Sequence, residues 1–539
     1  MRLILLFFVS VVCPLFCEST IERTKVLPTP RGTVFHDYGH PNFESQMEWI
    51  RKDPFAFWQD KNVYRRIDDL NVNEEDIARA IDWNEKEPAC RAQNLVTKVL
   101  RGQPIKMIVM GGSNSAGGGV SNHMRLYHQL FSQWWNSVIF PQTRSKLTVE
   151  NLSLGGTGSD FFTFCFQNFV TQNGQPDIVL VELSVNDYGY LHGATAKPME
   201  LLTRRVLSFQ TLPLVLYVSL VDLVKKSESL ESINNPNCHN LEDLGQRELA
   251  KHYEITLLSW RDILCPVNRK TRRRQPYLRP GMVNKDHLHI DVKGHAQTAL
   301  MMIRYFQNSL ERAAVSASYG PQPQCANPGL SPPLYADASS LVTNPLCWAY
   351  VNPRWGKSNV FQTLQVTVKR KEKFEELPLE NIEANVGYNN DKDDRSDAFG
   401  GWRSARAGSL IEFSFQVPAA TNYKGYASNS YSLGMVIRRL TQNSGQVKMW
   451  LDNSKKAAVT IVGKRFGRVH FQTRVYFVDS NVLPGHHTLR LETTGNKAIG
   501  LLVSGIVLGP SGIRGFKGYK PTGTLEKVWS REDYEKFKI

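Results

Sequence analysis

The amino-acid sequence predicts a three-layer α/β domain with a parallel sheet, followed by an all-β sandwich or jelly roll. Up to about residue 313, short and nearly continuous apolar runs alternate with amphipathic stretches, a pattern typical of parallel strands covered by helices on both faces. After about residue 346, apolar and polar residues alternate, as expected of strands with one buried face. Serine, proline, glycine and alanine are frequent between residues 314 and 345, which we interpret as a linker.

Five apolar runs are the predicted strands of the α/β domain. They are 105–110, 148–154, 177–183, 212–218 and 256–260. Amphipathic helices are expected between them, at 123–135, 198–209 and 240–252, with a last helix at about 294–310. The alternating runs that predict the sandwich are 364–368, 410–415, 447–451, 469–475 and 487–491.

The first residues have the character of a secretory signal peptide. Arg2 precedes a short apolar run, and small residues lie near Ser19, which predicts cleavage there; an uncleaved signal anchor is the alternative. The run is shorter than the roughly 20 residues that span a bilayer, so we expect no stable membrane span. The predicted organisation is a signal peptide at 1–19, an N-terminal extension at 20–103, the α/β domain at 104–313, a linker at 314–345, the sandwich at 346–512 and a C-terminal tail at 513–539.

Cysteine content agrees with an extracellular location or the lumen of the secretory pathway. Eight cysteines are present, two of them in the signal peptide; the remaining six allow up to three disulfides, whose connectivity stays open. The remaining cysteines show no CxxC spacing, which disfavours a zinc ribbon or a thioredoxin-like site. Cys325 and Cys347 lie near the junction, where a disulfide would tie down the linker and make the two domains one rigid unit.

Composition excludes a mainly disordered or fibrous chain, because 41% of the 539 residues are hydrophobic and 21% are charged. The formal net charge of +15 favours acidic partners, such as nucleic acid, anionic glycans or lipid headgroups, without choosing among them. The basic run Arg269–Arg274 fits a solvated surface loop, a rim that attracts an anionic substrate, or a cleavage site. These three interpretations remain open.

Three predicted strands end at residues that can carry chemistry, and strand ends are where α/β sheets place their sites. Gly112 and Ser113 follow the first strand in a tight turn that can expose a hydroxyl group. The glycine-rich segment 155–158 follows the second strand and allows a backbone N–H to approach a ligand. Asn186 follows the third strand, and its carboxamide can donate a hydrogen bond to an oxyanion. Taken singly, a glycine- and serine-rich turn or an asparagine turn is more often a simple turn than part of a site.

A fourth segment pairs a carboxylate with an imidazole. Asp286 and His289 are three residues apart, which allows the carboxylate to fix the tautomer of the ring and stabilise its charged form. His287, His289 and Asp291 also spell HxHxD, the start of a metallo-β-lactamase metal motif, but Val292 stands where that motif continues with histidine. We therefore expect no metal and no other cofactor.

In this order, the four segments resemble the SGNH (GDSL-type) hydrolase superfamily of esterases and lipases, over about residues 105–311. The resemblance implies an SGNH-like fold for the α/β domain and a catalytic triad of Ser113, Asp286 and His289. It also implies an oxyanion hole formed by Ser113, Gly156 and Asn186. Two positions depart from the family pattern, Gly112 where aspartate is usual and Ser184 where glycine is usual. Ser115 is the alternative nucleophile, and Gly158 is the alternative to Gly156.

The resemblance implies a serine esterase that hydrolyses carboxylic esters through an acyl-enzyme, and the predicted signal peptide implies that it is secreted. With the sandwich and the positive charge, it favours O-acetyl groups on acetylated or acidic polysaccharides as substrate, and we expect no nucleic-acid partner. The alternative is a non-catalytic glycan-binding or adhesion protein on a degenerate scaffold. We expect the sandwich to bind or position substrate and to carry no catalytic residue. Its aromatic residues either stack on sugars or fill the core; they include Trp402, Tyr423, Tyr426 and Tyr431.

Overall fold

The computed structural model describes most of the two predicted domains and leaves out the chain ends and several internal segments. The described residues are 48, 50–58, 66–84, 90–166, 170, 174–190, 196–221, 238, 240–267, 279–285, 288–318, 329–335, 345–350, 364–377, 400–404, 406–419, 430–439, 446–462, 472–494 and 500–511. The predicted signal peptide, the basic run at 269–274 and the C-terminal tail lie outside them.

The first sheet contains six strands in the described part of the chain, in the order β1-β6-β5-β4-β2-β3. Strands β2 to β6 pair in parallel, and β1 is an antiparallel edge strand. Because β2 has β3 on one side and β4 on the other, the strand order reverses there, and ligands bind such sheets at this point. The strands are β1 Ile81–Asp82, β2 Ile105–Gly111, β3 Leu147–Asn151, β4 Ile178–Glu182, β5 Leu214–Ser219 and β6 Thr256–Ser259.

Helices cover both faces of this sheet. The α-helices are α1 Glu74–Ala80, α2 Cys90–Leu100, α3 Ser113–Ala116, α4 Tyr127–Thr143, α5 Ser159–Cys165, α6 Ser184–Tyr190, α7 Lys197–Leu207, α8 Gln246–His252, α9 Trp260–Leu264 and α10 Val292–Ser318. Short 3₁₀ helices occur at Pro54–Ala56, Ile67–Leu70, His123–Arg125 and Leu241–Leu244. One face packs against α2, α4, α9 and α10, and the other against α5, α7 and α8. Residues of the predicted N-terminal extension thus share the core of this sheet.

Two antiparallel sheets form the second domain. The inner sheet has the order β15-β12-β17-β10-β9, with β7 also pairing with β17, and the outer sheet has the order β14-β13-β16-β11-β8. The strands are β7 Leu346–Ala349, β8 Val366–Glu372, β9 Glu375–Leu377, β10 Gly401–Ser404, β11 Leu410–Val417, β12 Tyr431–Arg439, β13 Gln446–Leu451, β14 Val459–Val462, β15 Gln472–Val482, β16 Gly485–Thr494 and β17 Leu501–Pro510.

The inner sheet is buried on both faces. All ten residues of β17 are buried. Val503 and Ile506 point into the core between the two sheets of the sandwich, whereas Leu502 and Val507 share a core with α5 and α7 of the α/β domain. The sandwich therefore contributes one layer to the core of the α/β domain.

A disulfide joins the two domains at the same surface. Cys165, the last residue of α5, is bonded to Cys347 in β7, with their Cα atoms 5.3 Å apart. A second disulfide joins Cys238 and Cys265 within the α/β domain, and Cys90 is disulfide-bonded as well. The sequence analysis expected a disulfide near the junction, where Cys325 and Cys347 lie. Cys347 does form a disulfide, but its partner is Cys165 in α5, so this bond joins the two domains and does not tie down the linker.

In the part of the chain that the structure describes, no helix combines the length and the apolar character that crossing a membrane requires.

The predicted fold class is confirmed: an α/β domain with a largely parallel sheet precedes an all-β sandwich. Each of the five apolar runs overlaps a strand, and the alternating runs overlap four strands of the outer sheet and β15. The runs missed β1, β7, β9, β10, β12, β14 and β17. For β17, and for β12 beside it, the reason is that a strand buried on both faces lacks the alternation that marks a surface strand.

We predict that a chain ending at residue 345 will not fold stably. Without the inner sheet, apolar side chains of α5 would be exposed, among them Phe164, whose ring lies 5.5 Å from that of Phe477, and Cys165 would lose its disulfide partner. The yield of soluble protein and the cooperativity of its thermal unfolding measure this. The full chain carrying both Cys165→Ser and Cys347→Ser is the control, because it lacks the disulfide and keeps the sheet. A truncated chain that unfolds cooperatively near the full-length midpoint would contradict the expectation.

Candidate active site

Ser113 lies at the turn between the central strand β2 and helix α3. Gly112 is the N-cap of this helix, and Ser113 is its first residue. Both neighbouring residues, Gly112 and Asn114, are buried, whereas Ser113 is partly exposed. The turn therefore presents one hydroxyl group at the carboxyl edge of the sheet, at the point where the strand order reverses.

His289 contacts this hydroxyl group directly. Its Nε2 atom lies 2.7 Å from Ser113 Oγ, although the two residues are 176 positions apart. The imidazole is partly exposed, like Ser113. A serine hydroxyl in hydrogen-bond contact with an imidazole is the arrangement in which histidine can take the serine proton during attack on a carbonyl.

Backbone contacts hold the segment around His289 against the serine turn. The amide N–H of Ile290 donates to Asn114 Oδ1 at 2.8 Å, which ties the residue after His289 to the residue after Ser113. The side chain of Asn284 donates to the carbonyl of Gly119 at 3.3 Å, and the Asn284 N–H donates to the carbonyl of His289 at 2.8 Å. These bonds hold the chain before and after His289 and so fix its imidazole relative to the hydroxyl group of Ser113.

The glycine-rich segment after β3 packs against the serine. A Cβ atom placed on Gly155 would lie 3.7 Å from Ser113 Cβ, so the backbone of this segment runs beside the hydroxyl group. Gly156 has a φ of 66°, a left-handed conformation that favours glycine. Gly158 instead is buried as the N-cap of α5, where a Cβ atom would lie 2.5 Å from Asp187 Oδ1.

Asn186 completes the group from the opposite side of the turn. A Cβ atom on Gly112 would lie 2.1 Å from Asn186 Oδ1 and 3.1 Å from its Nδ2, so the carboxamide lies directly against the Gly112 backbone. No side chain fits at position 112 while Asn186 keeps this position. Glycine at position 112 thus leaves the room that this close approach of Asn186 requires.

Ser115, the alternative nucleophile, is buried below the turn. Its hydroxyl donates to Glu182 Oε2 at 2.7 Å and lies 2.8 Å from the hydroxyl of Tyr127. The N–H of Gly112 also donates to Glu182 Oε2, at 3.3 Å. Burial raises the pKa of Glu182 to about 8, so this carboxyl group is protonated over most of the neutral range. Ser115 therefore supports the turn.

Two buried histidines extend this polar cluster. His128 Nε2 lies 3.1 Å from the carbonyl oxygen of Ser115, and the N–H of Tyr127 donates to His295 Nδ1 at 3.3 Å. Burial lowers the pKa of His128 to about 4 and that of His295 to about 3, so both rings are neutral near pH 7. Sequence analysis alone had not predicted this cluster, because its members are far apart in the chain.

The structure thus brings Ser113, His289, Gly156 and Asn186 to one edge of the sheet. Asp286 and His287 lie outside the described residues. Within the described ranges, no group of three or more histidine, cysteine, aspartate or glutamate residues is placed to hold a metal ion.

Residues of the sandwich also reach this edge, which the sequence did not indicate. Thr473, Arg438 and Arg474 contact the loops that follow β3 and β4. Two of the aromatic residues singled out in the sandwich, Trp402 and Tyr431, are buried in its core, which favours the structural alternative for them; Tyr423 and Tyr426 lie outside the described residues.

Comparison with known proteins shows the same two-domain fold. The chain is similar to the crystal structure of a two-domain esterase active on acetylated mannans, with 17% identity, 81% of this chain and 98% of that chain covered, and a TM-score of 0.52. A structure of that esterase co-crystallised with mannopentaose matches with 17% identity, 78% and 95% coverage, and a TM-score of 0.50. A member of the lipolytic G-D-S-L family from Veillonella parvula matches 37% of this chain and 96% of its own, with 12% identity and a TM-score of 0.27.

No family model matches the chain, and no curated protein does. The fold agrees with the sequence expectation. An α/β domain with a largely parallel sheet, as the SGNH resemblance implies, is followed by a β-sandwich, as in the two-domain esterase.

We predict that Glu182 makes the protein less stable as the pH rises from about 5 to 8. Its carboxyl group loses its proton near the usual pKa of 4.5 in the unfolded chain but only near 8 in the folded protein, so rising pH favours unfolding over this window. Glu182→Gln keeps an acceptor for Ser115 and does not titrate. The wild-type thermal midpoint should fall by roughly 5 °C more than that of the variant between these pH values.

Comparing the two proteins isolates Glu182, because His128 and His295 are present in both. Glu375→Gln, at a side chain that is 66% exposed, is the control and should behave like the wild type. Identical pH dependence in wild type and Glu182→Gln would contradict the prediction.

Proposed function

We propose that this protein is a secreted serine esterase that removes acyl groups, acetyl above all, from carbohydrate hydroxyls. The observation that carries the proposal is the 2.7 Å contact between Ser113 Oγ and His289 Nε2, at the strand ends where Gly156 and Asn186 also meet. The two-domain esterase of similar fold is active on acetylated mannans, which supports a glycan ester as the substrate class.

In the proposed acylation step, His289 takes the Ser113 proton as Ser113 Oγ forms a bond to the acyl carbon. The carbonyl oxygen of the ester becomes an oxyanion in the tetrahedral intermediate. When the intermediate collapses, the bond to the sugar oxygen breaks, and the imidazolium returns its proton to that oxygen. The products are the free sugar hydroxyl and an ester of Ser113. Asp286, three residues before His289, is the proposed partner that orients the ring.

The proposed oxyanion donors are the N–H groups of Ser113 and Gly156 and the side-chain amide of Asn186. They come from the loops after β2, β3 and β4, which meet at one edge because the strands are parallel neighbours. Donors held in place before the reaction stabilise the charge that develops on the oxygen without reorganising.

Deacylation reverses these roles. A water molecule attacks the acyl carbon while His289 takes its proton, the bond to Ser113 Oγ breaks, and the proton passes from the imidazolium to Ser113. The acid is released and the enzyme regains its initial protonation state. The reaction needs no redox partner.

We propose an extracellular location or the lumen of the secretory pathway for this activity. The disulfides Cys165–Cys347 and Cys238–Cys265 support this, because such bonds persist in oxidising compartments. The basic net charge of +15 supports an acidic or acetylated polysaccharide as the polymer that carries the ester.

We predict that Ser113→Ala lowers the hydrolysis of 4-nitrophenyl acetate and of acetylated glycans by at least about 10³-fold, because the nucleophile is lost. Acetate release and labelling by a fluorophosphonate are the two measurements. Ser115→Ala is the matched control: it should lower stability, since Glu182 loses a donor, and keep both the labelling and the activity of the folded fraction.

The reverse outcome, with activity lost in Ser115→Ala and kept in Ser113→Ala, would show that the nucleophile is wrongly assigned. A wild-type protein that neither hydrolyses esters nor reacts with the fluorophosphonate would favour the non-catalytic, glycan-binding alternative.

Asn186→Ala should lower kcat by about 10²–10³-fold with little change in KM, because its donor acts mainly in the transition state. Steady-state kinetics on 4-nitrophenyl acetate check this. Asn136→Ala is the control for a lost asparagine hydrogen bond, because Asn136 lies on helix α4 and its side chain bonds to the backbone of Leu147 in β3. An unchanged kcat in Asn186→Ala would remove Asn186 from the mechanism.

A further inference from the structure

The peptide group that joins Gly155 to Gly156 is held by the sandwich. Its carbonyl oxygen, that of Gly155, accepts a hydrogen bond from Arg438 Nη1 at 3.2 Å. The N–H of the same peptide group belongs to Gly156 and is the proposed oxyanion donor. Because C=O and N–H point in opposite directions in a trans peptide, a carbonyl turned toward Arg438 leaves this N–H pointing away from β12.

The next peptide group is held as well. The N–H of Thr473 in β15 donates to the carbonyl of Gly156 at 2.8 Å, and Thr157 and Thr473 form an isolated parallel bridge. Arg438 and Thr473 are directly paired across β12 and β15, and Arg438 Nη1 lies 3.5 Å from Thr473 Oγ1. One pair of neighbouring strands therefore fixes both peptide groups that flank Gly156.

A second arginine of the same strand pair holds the rest of the site. Arg474 Nη1 lies 3.1 Å from Asp160 Oδ1, and the N–H of Val475 donates to Asp160 Oδ2 at 3.0 Å. Arg474 Nη2 donates to the backbone carbonyl of Asn186 at 3.4 Å. Gly156 and Asn186 are the two proposed donors outside the serine turn. The segments that carry them are therefore both bonded to the sandwich.

We propose that Arg438 is a positioning residue of the oxyanion hole, so that the sandwich takes part in catalysis even on substrates too small to contact it. This inference rests on the proposed esterase function. A guanidinium group on the Gly155 carbonyl fixes the direction of the Gly156 N–H and polarises the peptide group, which strengthens the donor. It also extends our expectation that the sandwich binds or positions substrate, because the sandwich would then position an oxyanion donor as well.

Arg438 is better suited to a test than Arg474. The partners of Arg438 named above are neutral oxygen atoms, whereas removing Arg474 would leave the buried carboxylate of Asp160 without this arginine and so endanger folding. Arg438→Met removes the donor at similar length. Arg438→Lys keeps a positive charge and an N–H donor.

The control is Arg490→Met, the same change in the same domain. Arg490 lies on the outer sheet, between Leu489 and Leu491, which face the sandwich core, so its side chain points away from the α/β domain. Its guanidinium carbon lies 4.4 Å from the centre of the Trp450 ring.

The experiment measures kcat and KM on 4-nitrophenyl acetate. The concentration of active sites is determined by titrating each protein to completion with a fluorophosphonate, so that kcat refers to folded protein only. Arg438→Met should lower kcat about 10- to 100-fold with KM within about threefold, and Arg438→Lys should recover most of this loss, because the donors act in the transition state. Arg490→Met should match the wild type. Unchanged kcat in Arg438→Met, or an equal loss in Arg490→Met, would overturn the inference.

Amide hydrogen exchange of residues 152–160 supplies a readout that needs no activity. Exchange in this segment should rise in Arg438→Met and stay at the wild-type level in Arg490→Met; no rise would overturn the positioning role. If Arg438→Met does not fold, Arg438→Lys decides the question. A kcat and an amide exchange equal to those of the wild type would support the donor role of Arg438. An Arg438→Lys protein that is unfolded and inactive would count against that role. A wild-type protein without esterase activity refutes the proposed function separately, and the exchange result still decides whether Arg438 holds the loop.

Discussion

The inner sheet of the sandwich is buried on both faces, and its second face is covered by the α/β domain. Val436 and Val475 share one core with the helices α5 and α7, while Met435 and Ile437 lie in the core between the two sheets. Apolar burial of this kind is the main favourable contribution to folding. The inner sheet therefore contributes side chains to the core of each domain. The disulfide Cys165–Cys347 links the two domains covalently at the same interface.

This shared layer holds the helix that follows the glycine-rich loop of the candidate site. Helix α5 begins at Ser159, directly after the glycine-rich loop beside Ser113, and ends at the disulfide. The helix that carries the loop is therefore held at its far end by a covalent bond and at its beginning by the ion pair of Asp160 with Arg474. Such support would keep the proposed oxyanion donors at fixed positions, which electrostatic stabilisation of a transition state requires.

A second layer of support lies beneath Ser113. Glu182, Ser115 and Tyr127 form a buried hydrogen-bonded group under the turn, and the N–H of Gly112 is bonded to the same carboxyl oxygen of Glu182. A buried carboxyl group in an apolar environment retains its proton to a higher pH than in water, which avoids placing a charge below the serine. The hydroxyl group of Ser113 thus lies above a buried carboxyl group that is uncharged over most of the neutral range.

The sequence by itself determined the fold class, the strand ends and the residues that gather there. Apolar runs that stop at Met110, Leu154 and Leu183 are local patterns, and parallel neighbours necessarily bring their ends together. Only the tertiary structure decided that Gly112 makes room for Asn186, that Ser115 is buried on Glu182, and that Arg438 and Thr473 hold the Gly155–Gly156 segment. The physical reason is that these contacts join residues far apart in the chain, and such hydrogen bonds and close approaches leave no periodic pattern in the sequence. In addition, a strand of the inner sheet that is buried on both faces lacks the alternation of apolar and polar residues that would have revealed it.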